Sequence, residues 1–354
     1  MIAAHWVVAL FVLGLGVAHI GAARPANHDL LRACGGFSDD DLAALRGGDP
    51  LSKTLSSQDR REIAIAGAIR IEVPARFFVD RLRDIETFKR SDMVLQIGRF
   101  GDPPKLEDLA PLQIEPSELR ELRRCRVGNC AVKLPAGAIE RFRMEVDWTA
   151  ADVQVQVEHL SKRMLFENVL SYLDGGDQTL GSYHDSRRPV SPGEELRALM
   201  RNLDCTSGAH DDALRYLTEF PQKKPLGAEN FVYWSKEAFG LKPVVSLTHV
   251  VIFQPPPNEP TFIASKGIYS SHYLDASLSL TWLLNATSGT VPAIDVLYVN
   301  RSRVDALGGR LGGIARGIAA GRQREGMARE LRALKARLEA DWQTAPDGAR
   351  GVQR

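Results

Sequence analysis

Several residues capable of acid–base chemistry lie close together between positions 266 and 275. This segment contains Lys266, Tyr269, His272 and Asp275, and a further tyrosine, Tyr298, follows downstream. Histidine changes protonation near neutral pH, and tyrosine can donate or accept a proton beside it. We therefore take His272, Tyr269 and Tyr298 as candidates for general acid–base catalysis. A turn between two strands would carry the same residues as solvated polar groups, and that alternative stays open.

The same region could also line a ligand cavity. If its strands turn these side chains toward the concave face of a sheet, a few polar groups would orient an otherwise apolar ligand. A shift of one residue in register would reverse every face, so the direction of each side chain is open at this stage. The candidate lining residues are His249, Lys266, Tyr269, Trp282, Tyr298, Gly313 and Gly317.

Sequence motifs of several common enzyme classes are absent. The glycines at 308–313 lack the Gly-Lys-Ser/Thr ending of a phosphate-binding loop, and neither a G-x-S-x-G nor an H-E-x-x-H motif occurs. His184-Asp185 and His210-Asp211-Asp212 lack a third partner at metal-ligand spacing. We expect no metal site and no cofactor, whereas catalysis by dispersed residues stays open.

The elements that position the candidates belong to an antiparallel meander in the last third of the chain. Alternating apolar and polar residues predict strands at 244–254, 261–269, 274–284 and 293–301. In the third strand, one face is apolar and consists of Ala276, Leu278, Leu280, Trp282 and Leu284. The residues between them, Ser277, Ser279 and Thr281, point to the other face. The apolar face must be covered by another layer.

We expect a long helix from Arg303 onward to cover that face. Apolar residues recur every three or four positions from Leu311 to Leu338, as on one side of a helix. The first half of this segment contains six glycines between 308 and 321, each of which weakens a helix by up to about 1 kcal/mol. Two explanations stay open: close packing of the helix on the sheet, or room for a ligand between them.

Upstream, a strand and a series of helices are predicted. Ile63, Ile65, Ile69 and Ile71 alternate within a strand at 62–73, and a helix at 75–90 follows Pro74. The region 101–227 has helical patterns broken by Pro and Gly, most clearly at 149–173. We therefore divide the chain as follows: signal peptide 1–23, N-terminal segment 24–60, first strand and helix 61–100, helical insertion 101–227, meander and C-terminal helix 228–342, and disordered tail 343–354.

This element order resembles the helix-grip fold of the START-like and polyketide-cyclase-like superfamily. The matching parts are the strand at 62–73, the helix after Pro74, the strands between Phe231 and Arg301, and the helix from Arg303 to about Trp342. The chain also resembles exported bacterial proteins of no established activity in the stretches 233–236, 242–243, 269–275 and 297–303. The resemblance implies an α+β fold in which a curved antiparallel sheet wraps a long C-terminal helix, here with a large helical insertion.

It also implies a function. A helix-grip protein would bind a hydrophobic, lipid-like small molecule in a cavity between the sheet and the C-terminal helix. Two alternatives stay open: an enzyme of the cyclase or dehydratase type on the same scaffold, and a non-catalytic envelope scaffold or partner-binding module with a cavity filled by side chains. The sequence identifies no protein partner.

The first residues indicate export. No charged side chain occurs from Ile2 to Ala23, and Gly21-Ala22-Ala23 supplies small residues for cleavage. We expect a signal peptide and a periplasmic or secreted protein, with an uncleaved membrane anchor as the alternative. Cys125 and Cys130 flank a Val-Gly-Asn turn, so an oxidising compartment would join them in a disulfide. Whether Cys34 pairs with Cys205 is open.

Composition restricts the partners. The 354 residues include 45 Lys and Arg against 44 Asp and Glu, and 44% are hydrophobic, as in an ordinary globular protein. A net charge of +1 argues against nucleic-acid binding, which requires uncompensated Lys and Arg. Arginines at 316–332 alternate with glutamates along the last helix, which favours a solvated face over contact with an anionic membrane surface.

Overall fold

The computed structural model describes residues 27–201, 203, 209–222, 224–238, 242–255, 259–288, 291–305 and 312–345. The leader-like segment 1–23 and Cys205 lie outside these ranges. The signal peptide and the pairing of Cys34 with Cys205 therefore stay predictions. Of the predicted tail, residues 343–345 are described, and the last helix continues into them.

One antiparallel sheet of eight strands organises the fold, in the spatial order β1-β2-β8-β7-β6-β5-β4-β3. The chain is α+β, as expected. The strands are β1 (Leu51–Leu55), β2 (Glu62–Ile71), β3 (Val94–Arg99), β4 (Ala228–Glu237), β5 (Val244–Phe253), β6 (Thr261–Ser270), β7 (Leu274–Ser288) and β8 (Val291–Val304).

Helices cover both faces of this sheet. Two short 3-10 helices lie at Leu106–Leu109 and Gly176–Thr179. The α-helices of the described residues are α1 (Asn27–Ala33), α2 (Asp39–Arg46), α3 (Ala75–Arg83), α4 (Ile85–Phe88), α5 (Pro116–Arg124), α6 (Ala136–Glu145), α7 (Val153–Gly175), α8 (Pro192–Met200), α9 (Ala209–Thr218) and α10 (Gly312–Thr344).

Local signals explain where several helices begin and end. Ser191 caps α8 by accepting a hydrogen bond from the Glu194 N–H, and Pro192 occupies the first helical position, where its missing N–H costs nothing. The single helix predicted at 75–90 is two helices. Asp84 leaves helical geometry between them, and its side chain accepts a hydrogen bond from the Thr87 N–H to cap α4.

The sheet has two differently covered faces. The insertion face includes Trp234, Leu247, Phe262 and Trp282, which form one core with apolar residues of α1, α2 and α7–α9. The C-helix face includes Ile69, Val250, Leu283 and Val296, which form a second core with α3 and α10. Strand β2 is buried on both faces along nearly its whole length, as expected for a sheet between two layers.

The expectation that the C-terminal helix covers the Trp282 face is wrong. Trp282 is fully buried against helices of the insertion, whereas α10 lies on the opposite face. The alternation in β7 shows that one face is apolar, but several amphipathic helices could cover it. Helix α10 comes after β8 in the chain and contacts β2, the strand paired with β8, and the edge strand β1.

Helix α10 packs closely on β2 along its second half. A methyl group at Gly67 would lie 2.8 Å from the Met327 Cγ and 2.9 Å from the Leu331 Cδ1, so the two backbones approach without an intervening gap. Farther along, Lys335 Nζ donates to the Arg70 carbonyl over 2.9 Å, and the Trp342 and Phe77 ring centroids are 5.0 Å apart. Among the described helices, none is long and apolar enough to cross a membrane.

Candidate functional site

The structure separates the predicted cavity residues. His249, Lys266, Tyr269 and Trp282 are buried on the insertion face, and Tyr298 lies on the C-helix face. The four side chains on the insertion face therefore do not line a space beneath α10. The positions of Gly313 and Gly317 belong to α10, but their surroundings lie outside the described residues.

His249 belongs to a buried chain of hydrogen bonds. Its Nδ1 lies 2.6 Å from the Tyr172 hydroxyl and its Nε2 lies 3.3 Å from the Asn230 Oδ1. Asn230 Nδ2 in turn donates to the Tyr216 hydroxyl over 3.0 Å. Burial, together with the nearby Lys266 ammonium, holds the pKa of His249 well below its ordinary value. The neutral ring therefore donates from Nε2 and accepts from Tyr172 at Nδ1.

Lys266 is completely buried beside this chain. Its Nζ lies 2.5 Å from the Asp177 Oδ1, donates to the Leu217 carbonyl and stands 5.0 Å from the centroid of the Tyr172 ring. Burial lowers the pKa of Lys266, and the Asp177 carboxylate opposes that effect. These contacts join the middle of the sheet to the insertion, so a structural role accounts for the residue.

Tyr269 and Trp282 are also core residues. The Tyr269 ring is 6.2 Å from the Tyr183 ring, and burial raises the pKa of Tyr269. Trp282 packs at 5.2 Å from Phe262, and its Nε1 is a buried donor with no hydrogen-bond partner in the described part of the chain. Both residues therefore pack in the core, Trp282 at 0% exposure and Tyr269 at 9%.

His272 lies between a hydroxyl and a carboxylate at the β6–β7 turn. Its Nδ1 is 2.8 Å from the Ser271 Oγ, and its Nε2 is 3.2 Å from the Glu121 Oε2. Burial lowers the pKa of His272, so the neutral ring donates to Glu121 and accepts from Ser271. Burial raises the pKa of Glu121, but hydrogen bonds from Lys242 and His272 outweigh it and leave the pKa below its ordinary value.

This arrangement is a hydroxyl–imidazole–carboxylate relay, which can move a proton from the hydroxyl to the ring. Ser271 and His272 are each 5% exposed. The Ser271 Oγ also accepts a hydrogen bond from the Val245 N–H over 2.9 Å. The structure thus gives His272 partners, but it does not bring Tyr269 or Tyr298 to it.

The C-helix face contains a different polar feature in the middle of the sheet. Small hydroxyl and amide side chains on four adjacent strands are half-buried there, although the opposite face of the same strands is sealed. Register pairs Ser265 with Ser279, Ser279 with Asn300, and Thr281 with Tyr298. We call this set the hydroxyl patch: Ser246, Thr248, Ser265, Ser277, Ser279, Thr281, Tyr298 and Asn300.

Hydrogen bonds connect part of the hydroxyl patch. Ser279 Oγ lies 2.9 Å from the Tyr298 hydroxyl and accepts from Asn300 Nδ2 over 2.9 Å. Ser302 Oγ donates to Asn300 Oδ1, also over 2.9 Å. Burial raises the pKa of Tyr298, so the phenol stays neutral and can donate. The chain fixes the side chains while leaving hydroxyl lone pairs and the Tyr298 oxygen for another partner.

An ion pair and an apolar strip border the patch. On one side Lys89 Nζ lies 2.7 Å from the Glu237 Oε1 and 3.3 Å from the Tyr233 hydroxyl. Burial lowers the pKa of Lys89, but Tyr233 and Glu237 outweigh it and raise the pKa. On the other side Ile63 and Ile65 form a small cluster with Met327 and Val304, separate from the main cores. The patch is therefore neutral overall and has a polar and an apolar border.

Sequence reasoning recognised only one member of this patch as a site residue. Ser277, Ser279 and Thr281 were predicted to face away from the apolar side of β7, and they do. The signal that could have found the patch is the recurrence of Ser and Thr at alternate positions in β5 and β7, with Ser265 in the strand between them. A predominantly polar row is unusual on a sheet face that must be covered by a helix.

Among the described residues, no group of three or more His, Cys, Asp or Glu side chains is arranged to hold a metal ion. Comparison with known proteins gives no assignment. None of the protein-family models matches the chain, and no curated protein is significantly similar to it.

Proposed function

We propose that this protein is an exported binding protein of the helix-grip type, which holds an amphipathic, lipid-like small molecule against the hydroxyl patch beside α10. The observation that carries the proposal is the half-exposure of this patch at the centre of an otherwise buried sheet. A sheet face with only a packing role would be apolar there, as it is around Leu283 and Val296.

The chemistry of the patch favours a ligand with an uncharged polar group. Lys89 is already paired with Glu237, so hydroxyls and the Asn300 amide are the groups left to bind it. A hydroxyl or carbonyl could replace water on Ser279, Thr281 and Tyr298. The apolar part of the ligand would extend along Ile63, Ile65 and Met327.

Export is supported by two features. The charge-free segment from Ile2 to Ala23 has the composition of a signal peptide. Cys125 and Cys130 are joined in a disulfide, as predicted, and structural disulfides persist mainly in oxidising compartments.

The test begins with the full-length chain, exported and purified with its disulfide. We expect mass spectrometry of organic extracts to detect a co-purifying amphiphile, and a fluorescent sterol or fatty acid to bind in titrations. Changing Ser279→Ala together with Thr281→Val should raise the Kd about tenfold, as expected for one or two lost hydrogen bonds. The control is Ser171→Ala at an exposed position of α7, on the opposite side of the sheet, which should leave the Kd unchanged.

Two results would overturn the proposal. One is the repeated absence of a bound molecule together with no uptake of either probe. The other is an unchanged Kd in the Ser279→Ala, Thr281→Val variant while its melting temperature also stays the same.

A second candidate function, acid–base catalysis of the cyclase or dehydratase type, is favoured by the position of His272 between Ser271 and Glu121. It predicts that His272→Ala abolishes turnover of a bound ligand while ligand affinity stays nearly intact. His159→Ala, which changes an exposed histidine on α7, is the matched control. Equal turnover in both variants would exclude His272 as the catalytic base.

A further inference from the structure

A surface pocket of about 390 Å³ opens where the β1–β2 turn meets the end of α8 and the end of β8. Its volume is near the lower end of ordinary small-molecule sites. Arg303 reaches it from the insertion face of β8, so the pocket is separate from the hydroxyl patch on the other face. The lining residues are Gln58, Asp59, Arg60, Ala198, Arg201 and Arg303.

The charges around this pocket are unequal. Three arginines line it against a single aspartate. The side chains of Arg60 and Arg201 are exposed, and neither guanidinium group forms an ion pair or a hydrogen bond with another described residue, although the Arg201 N–H donates to the Arg197 carbonyl. Within the described part of the chain, two guanidinium groups at the rim are thus left to contact an incoming anion.

The base of the pocket is held in place by ion pairs. Arg303 is 7% exposed, its Nη2 lies 2.7 Å from the Asp59 Oδ2, and its Nη1 donates to Glu195. Arg61 also donates to Glu195, with its Nη2 3.1 Å from the Oε2. The carboxylate of Asp59 is therefore compensated by Arg303. The Nε of Arg303 is buried and has no hydrogen-bond partner in the described part of the chain.

We propose that this pocket binds a phosphate or sulfate group, with Arg60 and Arg201 as the primary contacts and with Arg303, already paired with Asp59 and Glu195, as the fixed base beneath them. The planar guanidinium fork matches the oxygens of such tetrahedral anions and forms charge-assisted hydrogen bonds with them. The Gln58 amide can donate to the same group. The anion can be a free small molecule or part of a lipid headgroup, since both present the same chemistry.

The experiment measures binding of inorganic phosphate and sulfate to the full-length, disulfide-bonded chain by calorimetry at low ionic strength. We expect binding at millimolar concentration or below that weakens as sodium chloride is added, because salt screens exposed charges. Arg60→Gln together with Arg201→Gln should weaken phosphate binding at least tenfold. Arg120→Gln together with Arg124→Gln removes two exposed charges from α5 and should leave binding unchanged.

A second arm distinguishes the source of the anion. Flotation with phosphatidylglycerol vesicles that depends on Arg60 and Arg201 would identify a lipid headgroup, whereas phosphate binding without flotation would identify a free anion. The proposal is overturned if the unchanged chain binds neither phosphate nor sulfate, or if the Arg60→Gln, Arg201→Gln variant binds phosphate as well as the control variant does. Both positions are exposed, so comparison of melting temperatures will show whether the fold is retained.

Discussion

Lys266 Nζ lies 2.5 Å from Asp177 Oδ1 inside the core, so one ion pair joins the centre of the sheet to the helical insertion. The side chains are 0% and 6% exposed, and the other carboxylate oxygen of Asp177 is buried without a hydrogen-bond partner in the described part of the chain. A pair of this kind gains little over an apolar replacement, but each partner depends on the other to offset the cost of burying a charge.

We therefore expect Lys266→Met to lower the free energy of unfolding by about 3–5 kcal/mol, because it leaves the Asp177 carboxylate buried and unpaired. Replacing both partners, Lys266→Met with Asp177→Leu, should recover most of that loss. Urea denaturation of the two single variants and the double variant measures the coupling. Additive losses would mean that the two side chains contribute independently.

The contact between Gly67 and α10 predicts a second stability effect. Gly67→Ala would place a methyl group 2.8 Å from Met327 Cγ, closer than the two carbons can approach. We expect a loss of about 1–3 kcal/mol, the usual range for overpacking a core. Gly137 lies in the exposed first turn of α6, where an added methyl group would meet no other atom within 4 Å. Gly137→Ala should therefore raise the free energy of unfolding by about 0.5–1 kcal/mol. A stabilising Gly67→Ala in thermal unfolding would contradict this, because it would mean that Met327 and Leu331 shift to accommodate the methyl group.

Buried histidines predict acid sensitivity. Burial lowers the pKa of His210, His249 and His272 below the ordinary value of about 6.5. Below that pH the unfolded chain binds protons that the folded chain does not. The stability that each such histidine contributes is therefore present above about pH 6.5 and is lost as the pH falls below that value. The loss in the free energy of unfolding is at most about 1.4 kcal/mol per pH unit for each histidine.

His249→Gln should reduce this loss between pH 7 and pH 5, because glutamine keeps a hydrogen-bonding amide but does not titrate. His159→Gln, at an exposed position on α7, should leave the slope unchanged. Denaturant midpoints measured across this pH range compare the two variants. Identical slopes would mean that the pKa of His249 is the same in the folded and the unfolded chain.

How much of this could be predicted depends on whether the signal is local. The alternation around Trp282 predicted β7 and the direction of Ser279 correctly, since side chains alternate along a strand whatever lies around it. It could not indicate that the insertion covers Trp282, because several helices have an apolar face and the sequence pattern does not show which of them packs there. The strands β1 and β3 were not predicted, since β1 is short and exposed and β3 has only one buried residue.

The candidate site was harder to predict for the same reason. His272 was identified as a titratable residue, but its partner Glu121 is 151 positions away in the chain. The hydroxyl patch is assembled from four strands, and only their register brings Ser265, Ser279 and Asn300 into one row. A contact between distant segments is decided by packing, which periodicity does not describe.

The disulfide provides a prediction about the insertion alone. Cys125 and Cys130 are five positions apart and close a short loop. Two hydrogen bonds attach this loop to the segment at 184–185: the Gly128 N–H donates to the His184 carbonyl over 2.7 Å, and the Cys130 N–H donates to the Asp185 carbonyl over 2.9 Å. Cys125 is buried in a separate apolar cluster with residues of α5–α7. Loss of the crosslink should therefore act locally.

For a loop of this size, chain entropy gives a stabilisation of about 2 kcal/mol. We expect Cys125→Ser with Cys130→Ser to speed amide hydrogen exchange in α5, α6 and the first half of α7, while the exchange of β6–β8 stays unchanged. The unchanged chain treated with reductant should behave like the variant, because both lack the same crosslink. Faster exchange throughout the sheet would show instead that the insertion and the sheet unfold as one cooperative unit, and the loss of about 2 kcal/mol would then lower the stability of the whole chain.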